Sequence, residues 1–311
     1  MTEHARRTRS VRSGEVDLFV VEAGEPGRPP LLLVHGFPDD HEVYLPLIDD
    51  LSRDHHVATF DLRGVGKSSA AKRADGYRID AVLPDLTAVI DAVFGANSAV
   101  HLVGHDWGSI LCFSYVADPE KQKRVRSFTS VSGPHLGLMW DANLRHLRSL
   151  RPREMLQGLG QIVSSWYALF FHIPGLPEWL IQRRGVAIFQ RTMERGGVRK
   201  GDPYLQTTQA PVWSRMHNAL ELYRQNALRP PAVPQKSSIP VPTSLVLALR
   251  DPFLRPPTFD FIGEYVPDLT VHQLDASHWV PRSHPIELAA IVRAQVTRVA
   301  GKRSRATSAA S

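Results

Sequence analysis

"LVGHDWGSIL" (residues 102–111) runs from one apolar stretch through Gly104, His105, Asp106, Trp107 and Gly108 into another. Small residues two places on either side of a central position let a chain turn sharply from strand to helix. Such a turn holds the central side chain up in a strained position, the pattern of a nucleophile elbow. The central residue here is an aspartate, Asp106. Alone, the pentapeptide suits an aspartate that merely caps a helix beginning at Trp107 equally well, so the flanking sequence has to decide.

Working outward, the elbow strand "AVHLVGHD" (99–106) is preceded by the amphipathic "IDAVLPDLTAVIDAVF" (79–94) and followed, after a helix, by "VRSFTSVSG" (125–133). Upstream, "VDLFVVEAG" (16–24), the wholly apolar "LLLVHG" (31–36) and "VATFDL" (57–62) read as strands, with a helix-like stretch over 41–53. Short, continuous apolar runs of this kind belong in the middle of a parallel sheet. The alternation resumes with "PTSLVLALRD" (242–251), a helix expected near 256–266, "LTVHQLDAS" (269–277) and a last helix, "HPIELAAIVRAQVTRVA" (284–300). The expected architecture is α/β, a mostly parallel sheet flanked by helices with right-handed crossovers.

The pattern is interrupted once. Residues 135–238 have helical periodicity and hold four of the six tryptophans, and they close on the proline-rich "LRPPAVPQKSSIPVP" (228–242). They read as a helical cap inserted between core segments 1–134 and 239–300, with a disordered tail over 301–311. No internal repeat is present.

Composition narrows the class. The chain has 311 residues, 43% hydrophobic and 22% charged, enough for one large domain with an insertion. The formal charge of +6 leans on the basic first 13 residues and on "GKRSRATSAAS" (301–311), which read as frayed ends, with no basic stripe for nucleic acid. No run approaches the ~18 apolar residues of a membrane span, so a cytoplasmic protein is expected. The single cysteine, Cys112, sits in an apolar helix and reads as a buried hydrophobe. "DLRGVGKSS" (61–69) is no phosphate loop, because Asp61 stands where the motif needs its first glycine; it reads as a turn at the sheet's C-terminal edge.

Partners for Asp106 decide between cap and nucleophile. "LALRDPFL" (247–254) puts Asp251 at a strand's C-terminal end, and "DASHWVPRSHP" (275–285) puts His278 in the loop after the last strand. The order nucleophile, acid, histidine is that of the α/β-hydrolases. In "HGFPDD" (35–40) the chain leaves a buried strand, so that the backbone N–H of Phe37, with that of Trp107, can form an oxyanion hole.

From about residue 14 to 300 the chain resembles the epoxide hydrolases of the α/β-hydrolase fold, on "HGFPDD", "DLRGVGKSS", "GHDWGS", "RDPFL" and "SHWVPRSHP". It is especially similar to actinobacterial members, some of which continue into a short-chain dehydrogenase domain. Haloalkane and haloacid dehalogenases share these core motifs, and the resemblance implies an aspartate nucleophile in either case. A carboxylate that attacks an ester gives a reactive anhydride, whereas attack on saturated carbon gives an alkyl ester that water can hydrolyse. Asp106 therefore suits displacement at carbon.

The leaving group separates the two branches. An epoxide oxygen stays attached and must be protonated, so it wants O–H donors; a halide wants apolar surroundings and indole N–H groups. In "SWYALFFHIPG" (165–175), Tyr167 stands seven residues before Pro174, the spacing at which epoxide hydrolases carry their first ring-opening tyrosine, and Tyr223 in "ELYRQN" (221–226) matches the second. Trp107 also fits a halide ligand, but dehalogenases pair it with an asparagine after the HG pair, where this chain has Phe37, or with a second tryptophan, for which Trp166 and Trp213 are candidates. The expectation is an epoxide hydrolase that needs no cofactor or metal and takes a small apolar epoxide. A dehalogenase with the same triad, or a non-catalytic ligand-binding protein of this fold, are the alternatives. Asp141 is a lesser candidate for the acid.

Overall fold

The computed structural model describes residues 6–310, with side chains to residue 302. Eight strands form one sheet: β1 (Arg7–Ser13), β2 (Val16–Ala23), β3 (Pro30–Val34), β4 (His56–Phe60), β5 (Val100–His105), β6 (Val125–Val131), β7 (Thr243–Ala248) and β8 (Leu269–Leu274). Their order is β1-β2-β4-β3-β5-β6-β7-β8. β1 pairs antiparallel with β2 and β2 with β4, and every other neighbour is parallel. β3 and β5, the central strands, are buried on both faces, β3 through an apolar run and β5 with His101 and His105 buried among its apolar residues.

Five helices belong to the core: α2 (Ile79–Phe94), α3 (Trp107–Ala117) and α11 (Pro285–Ala310) pack on the sheet, and α1 (Leu45–Leu51) and α10 (Val280–Ser283) pack against α11. α3 is buried along almost its whole length, Cys112 included, which explains why it is apolar all round. Between β6 and β7 lie α4 (Leu136–Arg148), α5 (Pro152–Ser164), α6 (Trp166–Phe170), α7 (Leu176–Arg195), α8 (Gln209–Met216) and α9 (Leu220–Asn226). These helices are anchored to the loop after β3 by Arg215. Its guanidinium, almost wholly buried, meets Asp40 and Glu42 at 2.6 Å each and lies 4.7 Å over the ring of Tyr204. Removing one partner of such a buried pair costs ~3–5 kcal/mol, so the helical segment is fixed over the strand ends.

The structure departs from the expectation in three places. Residues 7–13 are not a frayed end but an edge strand, held by Val11 facing inward and by Arg7 and Arg9 reaching Glu22 at 2.7 and 2.6 Å; residues 1–5 lie outside the described residues. The helix expected near 256–266 is two short 3₁₀ turns, Pro256–Phe259 and Ile262–Glu264, because two prolines remove amide donors and Gly263 disfavours continuation. The last helix runs through Ala310, past residue 300, over alanine, lysine and arginine residues that favour helix; Ser311 lies outside the described residues. "DLRGVGKSS" is a turn wound around Asp61, whose carboxylate accepts from the amides of His41 and Lys67 and from the His41 ring.

Candidate active site

The turn from β5 into α3 leaves Asp106 at φ 51°, ψ −123°, which L-residues rarely adopt. The Asp106 side chain makes no capping bond to α3, which removes the reading of Asp106 as a simple helix cap. The flanking glycines are demanded by space, for a Cβ on Gly104 would stand 2.6 Å from Ser109 Cα and one on Gly108 1.9 Å from the Val34 carbonyl oxygen, and in the loop after β3 a Cβ on Gly36 would stand 2.3 Å from Asp106 Oδ1. That close approach lets the Phe37 N–H donate to Asp106 Oδ1 at 2.7 Å. Trp107 opens α3, and the first amides of a helix have no intrahelical carbonyl, so its N–H is available beside the same carboxylate.

His278 stands between two carboxylates. Its Nδ1 is 2.7 Å from Asp251 Oδ2 and its Nε2 3.5 Å from Asp106 Oδ2. Asp251 Oδ1 is occupied by the amides of Phe253 and Leu254 at 2.8 and 3.0 Å, so the tight turn after β7 aims the other oxygen at the ring. Burial disfavours charge on His278, but Asp251 and Asp106 outweigh it and lift its pKa from 6.5 to about 10. Burial opposes the charge on Asp251 as well, and the imidazolium still holds it below the usual carboxylate range. Because the folded value of His278 lies above the ordinary one, its contribution to stability is intact below pH 6.5 and is lost as pH rises through about 10.

Part of that lift comes from Asp106, so neutralising Asp106 must lower it. In Asp106→Asn the His278 pKa should fall, read from imidazole ¹⁵N shifts across a pH titration. An unchanged value would mean that the two groups are not coupled.

A cavity of about 660 Å³ lies above Asp106 and His278, walled largely by aromatic and aliphatic side chains from α6, α7 and the loops after β3 and β7. Tyr167 and Tyr223 both line it. Tyr223 on α9 is gripped edge-on by Trp107, Phe37 and Phe171, with ring centroids at 5.0, 5.2 and 4.9 Å. The next residue, Arg224, ties α9 to the Phe171 carbonyl at 2.8 Å and to Glu178 at 2.7 Å. The Tyr167 ring lies 5.9 Å from that of Tyr223, nearly perpendicular to it. Burial pushes both phenols above the ordinary tyrosine value, helped at Tyr167 by the Asp106 and Asp251 carboxylates and at Tyr223 by Tyr167 and then Asp106, so both stay protonated.

Thus Asp106, Asp251, His278, Tyr167, Tyr223, Phe37 and Trp107 converge on one place, while two other candidates do not. Trp213 stacks on His217 at 4.3 Å and does not line the cavity, and Asp141 pairs with Arg145 at 2.8 Å. The sequence reading missed a supporting layer. Asp39, wholly buried, accepts from the Trp279 indole at 3.0 Å and from the Tyr204 hydroxyl at 3.0 Å, and lies 3.5 Å from His105 Nδ1. His105 Nε2 lies 3.0 Å from the His278 carbonyl, which can only accept, so that nitrogen carries the hydrogen and fixes the loop bearing His278. The available signal was Asp39 in the loop that follows β3 and His105, a polar residue closing the largely apolar β5.

Comparison with known proteins agrees with this geometry. Residues 29–159 match the alpha/beta hydrolase fold family. The chain is 33% identical over 286 residues to "Probable oxidoreductase EphD" of Mycobacterium tuberculosis, covering 89% of this chain but only 47% of that longer protein. It is 28% identical over 290 residues to epoxide hydrolase 3 of Mus musculus, covering 89% of this chain and 73% of the relative. Among solved structures, an epoxide hydrolase from Bacillus megaterium in complex with an inhibitor superposes with a TM-score of 0.75 at 23% identity, over 93% of this chain and all of that one. The elbow with Asp106, the order of Asp251 and His278 behind it and these matches together give the chain the α/β-hydrolase fold, with epoxide hydrolases among the proteins it is similar to.

Proposed function

We propose that the chain opens apolar epoxides to vicinal diols through a covalent aspartyl ester. Asp106 Oδ2 attacks the less hindered ring carbon, the C–O bond breaks, and the departing oxygen takes a proton from the Tyr167–Tyr223 pair. Ester formation removes the negative charge beside His278 Nε2, so the imidazolium loses one of the two groups that hold its proton. The first step thereby arms the base for the second, and the released proton balances the phenol's loss. Neutral His278, oriented by Asp251, then takes a proton from water attacking the ester carbonyl carbon, while the Phe37 and Trp107 amides hold the oxyanion. Collapse of that intermediate frees the diol and restores the Asp106 carboxylate and the imidazolium. The helices over 135–238 act as the cap that supplies the acids and shuts water from the cavity.

The observation that carries this reading over halide displacement is the pair of protonated phenols in the cavity with Asp106. Of the tryptophans that line it, Trp279 spends its indole N–H on Asp39 and Trp166 is exposed to solvent, while Trp107 lies outside the lining and packs edge-on against Tyr223. Replacing either Tyr167 or Tyr223 with phenylalanine should slow single-turnover ester formation by about one to three orders of magnitude, the range of general acid catalysis. Unchanged rates in both variants, with halide released from bromo- or chloroalkanes and no diol from epoxides, would favour the dehalogenase.

A further inference from the structure

Helix α5 turns an apolar face outward where a surface helix ordinarily carries polar residues. Leu156, Leu159, Ile162 and Val163 recur at helical spacing and are 64%, 45%, 48% and 71% exposed. The inward face is the one that is fixed: Gly158 packs on Leu147, and Gln161 bonds the Phe253 carbonyl and the Arg255 amide. The outward apolar surface continues through Trp166 and Leu169 of α6 to Trp179 of α7, all more than half exposed. Isolated exposed hydrophobes are ordinary, but a contiguous run of large ones marks a surface that is covered in use.

Beside it lies a second feature. Arg183, Arg184 and Arg191 of α7 are exposed around Trp179 and form no ion pair among the described residues, and the Arg183 guanidinium stacks 5.7 Å from the Trp179 ring. Arg191 also lines the active-site cavity, and with Val163, Trp166 and Arg195 it supplies the exposed part of that lining. The mouth of the cavity therefore opens within the apolar and cationic face.

We propose that this face docks on an anionic lipid bilayer, with the mouth of the active site turned to the membrane. Apolar side chains that can enter the headgroup boundary, flanked by arginines that can meet lipid phosphates, are what peripheral binding requires. A second copy packed on the same face would set one arginine cluster against another. No described helix is long and apolar enough to cross a membrane, so the association is peripheral. Delivery of substrate from the bilayer into the cavity rests on the reading of an apolar epoxide above; docking itself does not.

The test uses flotation with unilamellar vesicles of phosphatidylcholine alone or mixed equally with phosphatidylglycerol. The whole chain should float with the mixed vesicles at low salt and much less with phosphatidylcholine. Arg183→Glu with Arg184→Glu should weaken that binding by roughly tenfold or more. The triple variant Leu156→Ser, Leu159→Ser, Ile162→Ser should do likewise. Arg12→Glu with Arg73→Glu, on β1 and in the loop after β4, should leave it unchanged. None of these seven residues lines the cavity, so thermal melting and turnover of a water-soluble epoxide should match the parent chain. A total lack of soluble turnover would count against the proposed reaction and leave docking to be judged by flotation. Absence of flotation, equal weakening by the Arg12 and Arg73 changes, or a dimer in sedimentation equilibrium that the triple variant dissociates would overturn the proposal.

Discussion

A single turnover in ¹⁸O-water with enzyme in excess should yield unlabelled diol and place the heavy oxygen in the peptide that contains Asp106. In the proposed mechanism the water that ends the cycle attacks the ester's carbonyl carbon, so the oxygen given to the substrate is the one the carboxylate began with. Oδ1 is held by the Phe37 amide and Oδ2 faces His278 Nε2, so Oδ2 is the oxygen assigned to the attack. Direct attack by activated water gives the opposite distribution, with label in the first diol. Asp106→Asn should lower turnover by at least about four orders of magnitude, since nothing else in the cavity can form the ester.

His278→Gln should separate the two halves of the reaction. The variant keeps the nucleophile and both phenols, so it should consume about one equivalent of epoxide and then stop, the chain becoming heavier by one substrate in intact-mass spectrometry. Multiple turnover should fall by several orders of magnitude while ester formation changes far less. His278 Nε2 lies 3.5 Å from Asp106 Oδ2, so losing the ring also removes a contact to the attacking group, and a modest slowing of the first step is compatible with this assignment. A variant that never becomes labelled would show that His278 acts before the ester exists.

How much of this was legible beforehand follows from what each signal depends on. The placing of Asp106, Asp251 and His278 together was readable because each follows a strand end, and strand ends are marked by an apolar run that stops. Tyr167 and Tyr223 were readable only through a likeness to relatives, since nothing local distinguishes a phenol aimed into a cavity from one packed in a core. β1 escaped because its residues are mostly polar; an edge strand buries one face at most, and here its charges are satisfied by Glu22 on the neighbouring strand. Asp39 and His105 escaped for the opposite reason. Their partners, Trp279, Tyr204 and the His278 carbonyl, come from distant parts of the chain and meet them only in the folded molecule.

The backbone at Asp106 implies a conflict between durability and turnover. An L-residue at φ 51° costs ~1–3 kcal/mol that the rest of the fold must absorb. Asp106→Gly relieves that distortion and removes a buried carboxylate, losing in return the Phe37 hydrogen bond and the attraction to His278. The inert variant should therefore melt a few degrees higher than the active enzyme. A lower midpoint would mean that the two lost contacts outweigh the distortion. If it melts higher, heat-based selection without an activity screen would enrich chains that have discarded their nucleophile.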